Sequence, residues 1–153
     1  LNLELANTAE MVAFACDLKP DFACLVPEKR EEVTTEGGLD VIANQESLRQ
    51  TVGKLQSLGI RVSLFIDSER TQIKAAADVG AEMIELHTGT FALTTGNEHE
   101  SEIKRLQSGA GLGNSLGLQI NVGHGIHLEN VKDLFSVKNL KIMVLINKSN
   151  IML

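Results

Sequence analysis

Short apolar runs alternate along this chain with stretches of helical period, and that alternation constrains the fold more than any other feature. Leu1–Ala6, Phe22–Val26, Ile60–Asp67, Met83–Gly89 and Leu118–Val122 read as strands, and Leu140–Ile146 as a possible last one. Between them lie helical patterns. In the first, Asn7 or Thr8 caps a helix with Met11, Val12, Ala15 and Leu18 on one face, stopped by Pro20. A second runs from about Asn44 to Leu58 and ends at Gly59. A third starts after a Ser68 cap and ends at Gly80. Residues 90–100 read as a loop, followed by a helix over about Glu98 to Leu106 whose end is weakened by Gly109, Gly111, Gly113 and Gly117. Strand followed by helix, repeated, predicts a parallel sheet built from right-handed βαβ units. With 153 residues the chain is too short for a closed eight-stranded barrel, which takes about 250. The pattern leaves a fragment of such a barrel or a small open doubly wound sheet.

Composition excludes several classes. The net charge is −6, there is no basic stripe, and Trp and Tyr are absent, so the chain lacks the footprint of a nucleic-acid binder. No apolar run approaches the ~18 residues of a membrane helix, and no secretory leader is visible. Cys16 and Cys24 form no CxxC spacing, and both read as reduced core residues of a cytoplasmic protein. No HExxH or other metal-ligand spacing is present. Gly109-Ala110-Gly111-Leu112-Gly113 resembles a dinucleotide loop but precedes a strand instead of following one.

Polar residues gather where strands end. Glu4, Glu28, Asp67, Glu85, His87 and His124 fall in or just after the strand runs, the place where α/β barrels build active sites. A site that shuffles protons needs a carboxylate and an imidazole poised near neutral pH, and Glu4, Glu85 and His124 supply that set if they face inward. Each also has a plain structural reading: Glu4 as a solvated acid, Glu85 as a paired inward carboxylate, His124 as a turn residue. His87 fits a hydrogen bond to a neighbouring loop, and His99 and His127 read as surface residues. The segment from Val26 to Asp40 combines charge with Thr34-Thr35-Glu36-Gly37-Gly38, two hydroxyls and exposed backbone N–H groups suited to a phosphate, and it reads equally as a solvated, charged loop.

Several segments together resemble the pyridoxine 5′-phosphate synthase family. They are Asn2-Leu3-Glu4, Leu25–Arg30 through Thr34–Asp40, Val62–Asp67, Ile84–Gly89 and Asn121–Gly125, in family order and at family-like spacing. The resemblance implies a (β/α)₈ TIM barrel of which this chain is a fragment covering about strands 3 to 7. It would form a single partial domain over 1–153, family-like over 1–139 and divergent over 140–153. It implies condensation of 1-deoxy-D-xylulose 5-phosphate with 3-amino-2-oxopropyl phosphate in vitamin B6 biosynthesis, without cofactor or metal. By position it makes Glu4 a proton acceptor, His124 a proton donor and Glu85 a stabiliser of the transition state. Thr34 would contact the pentulose phosphate and Gly125 the amino-ketone phosphate. The partners implied are these two phosphorylated substrates and other copies of the chain in a homo-oligomer, with no nucleic acid and no membrane. The alternatives are a phosphosugar isomerase or aldolase barrel and a non-catalytic phosphate-binding remnant. The aldolase reading lacks a lysine at a strand end, since Lys29 lies in a loop and Lys141 in the divergent tail.

Overall fold

The computed structural model describes residues 1–28 and 37–143. Six parallel strands lie side by side in sequence order: β1 (Asn2–Ala6), β2 (Phe22–Val26), β3 (Arg61–Ile66), β4 (Met83–His87), β5 (Gln119–Gly123) and β6 (Leu140–Met143). Among the described residues the sheet is open, with β1 and β6 as its edges. The strands are linked by α1 (Ala9–Leu18), α2 (Gln45–Ser57), α3 (Arg70–Asp78), the short α4 (Gly89–Leu93) with α5 (Gly96–Ser115), and a 3₁₀ turn over Val131–Ser136. A parallel neighbour can be reached only by a crossover, so each connection carries a helix or turn back to the start of the next strand.

Alternation along the strands divides the sheet into two faces. Leu5, Ala23, Leu25, Val62, Leu64, Ile66, Ile84, Leu86, Ile120 and Val122 share one face. They pack against Ala15, Leu48, Val52, Leu55, Ile73, Ala76, Leu106 and Ala110 from the helices. Each leucine, isoleucine or valine side chain removed from water contributes about 1.5–3 kcal/mol, so this layer holds the fold together. The opposite face carries Glu4, Cys24, Ser63, Phe65, Met83, Glu85, His87 and Asn121.

Local chemistry explains most boundaries. Thr8 Oγ1 accepts from Met11 N to cap α1, and Lys19, in the left-handed conformation (φ 50°), ends it before Pro20. Gly59 and Gly80 (φ 81° and 87°) close α2 and α3, where a side chain would be strained.

Three expectations change. Ser68 does not cap α3: the cap position is Glu69, without a side-chain bond, and the Ser68 hydroxyl donates instead to Arg105 O (3.1 Å). The segment after β4 is not a loop throughout, because Gly89–Leu93 coils into a helical turn. The helix expected to fade after Leu106 runs through its glycines to Ser115. The reason is close packing. A Cβ at Gly109 would lie 2.0 Å from Ser68 Oγ, and one at Gly113 would lie 2.6 Å from Ile120 Cδ1. These glycines let α5 press against the sheet, and that packing outweighs the ~1 kcal/mol each costs in helix propensity.

Candidate active site at the strand ends

The register aligns the polar face into rows. Glu4 on β1 pairs with Cys24 on β2, and Cys24 with Ser63 on β3. Phe65 on β3 pairs with Glu85 on β4, and Glu85 with Asn121 on β5. His87 pairs with Gly123, the residue before His124. Glu4, Glu85 and His124 therefore belong to one face and its carboxyl-end rim, as their strand positions predict.

The two carboxylates differ in setting. Glu4 is exposed, whereas Glu85 is buried at 6%. Burial, and secondarily the negative charge of Glu4, push the Glu85 carboxyl up to about 7, so it exchanges a proton near neutral pH. Cys24, buried beside both acids, has its thiol pushed far up by burial and then by the charges of Glu85 and Glu4. That holds it as an inert neutral thiol, in keeping with its reading as a reduced core residue.

His124 stands in a turn built for it. Its φ is 78° and that of Gly125 is 74°, two successive residues in the left-handed region. Thr88 clamps this turn: its hydroxyl lies 2.6 Å from the carbonyl oxygens of both Gly123 and His124, which share its one proton, and its N–H donates to Gly123 O (3.0 Å). Asn130 holds the far side through Nδ2 to Gly125 O (3.1 Å) while its Oδ1 accepts from His127 N (2.8 Å). A Cβ at Gly125 would meet Ala92 Cβ at 2.6 Å, so glycine is required there both by conformation and by space. The His124 ring lies 5.0 Å from that of His87 and 6.3 Å from that of Phe65.

His87 does bond to a neighbouring loop. Its Nδ1 lies 3.1 Å from Asp67 Oδ1, and the other oxygen of Asp67 accepts from Gly38 N (3.0 Å). The bond to His87, with that from Gly38, holds the Asp67 carboxyl below its ordinary range despite its partial burial. Gly37-Gly38 is thus drawn across the end of β3, where a Cβ on Gly38 would lie 2.3 Å from Asp67 N. Asp40 and Gln72 fix the segment further, with Gln72 Nε2 donating to Asp40 Oδ1 (2.9 Å) and Gln72 Oε1 accepting from Val41 N (2.8 Å). Thr34 lies outside the described residues.

Thr88, Asn130 and Gln72 did not stand out in the sequence as site-building residues, whereas Asp67 stood among the strand-end polar groups without an assigned task. Thr88 and Asp67 carry a legible signal, since each directly follows a strand. His99 is not a surface residue: it is partly buried, stacks 4.5 Å from the Phe91 ring and lies 3.3 Å from Asp133. His127 is also partly buried, its ring 3.9 Å from the Glu129 carboxylate. Among the described residues no three His, Cys, Asp or Glu side chains gather as a metal site, and no helix is long and apolar enough to cross a membrane.

The family model described as pyridoxal phosphate biosynthesis protein PdxJ matches residues 1–147. The chain belongs to the PdxJ family. A pyridoxine 5′-phosphate synthase of Akkermansia muciniphila is 54% identical over 136 residues, covering 89% of this chain and 55% of the relative. One from Legionella pneumophila is 49% identical over 141 residues, covering 92% and 57%. The chain thus spans about half the length of the curated relatives it matches. Among solved structures, a xylose isomerase domain protein from Planctomyces limnophilus matches with a TM-score of 0.62 at 15% identity, over 93% of this chain and 61% of that one. A protein assigned as a fructose-1,6-biphosphate aldolase from Coccidioides immitis matches at 0.65 and 14%, over 97% and 55%. At those identities the likeness is one of fold. Together with the open parallel sheet it makes the PdxJ chain a partial TIM barrel, as the family resemblance implied.

Proposed function

We propose that this PdxJ chain carries the chemistry of pyridoxine 5′-phosphate synthase, condensing 1-deoxy-D-xylulose 5-phosphate with 3-amino-2-oxopropyl phosphate to pyridoxine 5′-phosphate, phosphate and water. The observation that carries this reading is the pairing of an exposed carboxylate, Glu4, with a buried one, Glu85, pushed up to about 7 on the same sheet face. Two acids in unlike settings can divide the labour of acid and base. Schiff-base formation, elimination and ring closure are successive proton transfers, and such a set suits them.

In this reading Glu4, accessible to solvent and substrate, accepts protons. His124 donates them from the clamped turn. Glu85 stabilises charge in the transition state, and its neutral form near pH 7 can donate a hydrogen bond to a developing oxyanion. Thr34 contacts the pentulose phosphate, and the backbone of Gly125 the phosphate of the amino-ketone, where the absence of a side chain leaves room for close approach. No cofactor or metal is assigned a part, and the assembly is a cytoplasmic homo-oligomer.

The test is formation of pyridoxine 5′-phosphate from the two phosphates by the purified chain. Glu4→Gln and His124→Asn should each lower the rate by about 10²–10⁴, the contribution of one positioned proton-transfer group. Binding of the pentulose phosphate with no turnover, insensitive to both substitutions, would instead favour a phosphate-binding remnant.

A further inference from the structure

Asp67 touches two separate parts of the candidate site. Oδ2 accepts from the backbone N–H of Gly38, the glycine that ends the Thr34–Gly38 segment. Oδ1 faces Nδ1 of His87 at 3.1 Å. An ionised carboxylate only accepts, so the proton on this contact belongs to His87 Nδ1. In the neutral ring Nε2 then carries a lone pair. That atom is buried, and it has no hydrogen-bond partner. It abuts Gly89, where an added Cβ would lie 2.5 Å from Nε2 and 3.4 Å from His124 Cδ2. The His87 ring stands 5.0 Å from the His124 ring at 60° and 5.2 Å from Phe65 at 63°. His87 is therefore wedged between Asp67, Phe65, Gly89 and His124, with its tautomer fixed from one side alone.

We propose that Asp67 is a positioning residue with two separable tasks: it anchors Gly38 at the end of β3, and it sets the tautomer of His87, whose ring stands beside that of His124. The consequence for the reaction rests on the reading of His124 as a proton donor; the geometry of Asp67 and His87 does not. A bare Nε2 leaves the space beside His124 free of a second N–H. A proton there would be a buried donor without an acceptor. A carboxylate thus fixes the tautomer of the histidine it faces, as the orienting carboxylate does in hydrolase triads.

Two substitutions separate the tasks. Asp67→Asn keeps a carbonyl oxygen for Gly38 N–H, but its amide NH₂ now donates to His87 Nδ1 and forces the proton to Nε2. Asp67→Ala removes both contacts. With ¹⁵N-histidine label on the whole chain, the wild type should show His87 protonated at Nδ1 and bare at Nε2. Asp67→Asn should reverse that pattern and move the ring resonances of His124. Affinity for 1-deoxy-D-xylulose 5-phosphate, followed by calorimetry, should stay within about two-fold in Asp67→Asn and fall by on the order of ten-fold in Asp67→Ala, with the larger part of any kcat loss already present in Asp67→Asn. A merely structural Asp67 would leave the tautomer unchanged in Asp67→Asn, and that result overturns the inference whatever the activity. A His87 already protonated at Nε2 in the wild type overturns it without any variant. Absence of turnover in the wild type with the tautomer reversal intact would sink the functional reading and leave the positioning role standing.

Discussion

The two faces of the sheet are made from the same strands, one residue apart, and they do opposite work. Along β3, Val62, Leu64 and Ile66 point to the helices and are fully buried, while Ser63 and Phe65 point to the polar face beside Cys24 and Glu85. The helix-facing layer is apolar throughout, so each side chain there adds to stability and none to chemistry. The other face holds a buried carboxylic acid and a buried imidazole whose Nε2 lacks a partner, groups that cost free energy to bury. A period of two thus lets one strand hold the fold on one side and carry the costly buried polar groups of the candidate site on the other.

The sharpest way to break the comparison is to truncate neighbours on the two faces. Leu64→Ala should destabilise the chain by about 2–5 kcal/mol, since a fully buried leucine leaves a cavity among the helices. Ser63→Ala, one residue away, should stay within about 1 kcal/mol, because it removes one small hydroxyl whose polar neighbour is the weakly bonding thiol of Cys24. Urea unfolding of the two variants decides the matter, and similar losses would contradict the division of labour.

The next effect is pH-dependent and belongs to the polar face. The Glu85 carboxyl is raised from 4.5 to about 7 in the folded chain. Between those values the native state holds more protons than the unfolded state. Stability therefore falls as pH rises through this window, and the loss is complete above it. Glu85→Gln mimics the neutral acid and removes this dependence. At pH 8 it should be more stable than the parent by on the order of 2–3 kcal/mol, and at pH 4 the two should be nearly equal. Thermal unfolding at the two pH values tests this, and a variant less stable at pH 8 would show that the charged form is welcome in its pocket.

Smaller again is the fit of α5 on the sheet. Gly109→Ala places a methyl group 2.0 Å from Ser68 Oγ, so Ser68 must turn away from Arg105 O. The strain, at about 1–3 kcal/mol, is partly offset by the ~1 kcal/mol that alanine gains in a helix. A net loss of about 1 kcal/mol is expected, and it should shrink when Ser68→Ala is added. Additive losses in the double variant would mean that Ser68 is not the obstacle.

These cases also mark what the residues alone disclose. The strands, the first three helices and the inward set Glu4, Glu85 and His124 follow from period, caps and strand-end position, all of which are local. The length of α5 does not, because Gly109 and Gly113 read as helix breakers until their neighbours Ser68 and Ile120 are known. Ser68 looks like a cap for the same reason, since its hydroxyl partner lies on a helix distant in sequence. The clamp of Thr88 and Asn130 on the His124 turn and the double contact of Asp67 are likewise tertiary. The family resemblance supplied roles for the inward residues, but the side chains that hold them in place emerge only from the packed chain.

The smallest effect on stability is the most informative about the site. Glu4 is exposed, so Glu4→Gln should change unfolding free energy by no more than about 0.5 kcal/mol. Its charge nonetheless reaches Glu85, where it is the second cause of the raised value after burial. Removing that charge should lower the Glu85 titration midpoint without abolishing the shift, because burial remains. Carbon-13 NMR of the glutamate carboxyls would follow this directly. A midpoint unmoved by Glu4→Gln would separate the two acids electrically and leave Glu85 tuned by burial alone. A midpoint that drops to the ordinary glutamate range would make Glu4, not burial, the dominant cause, and the two carboxylates would then titrate as one coupled pair in place of an exposed carboxylate beside a buried one.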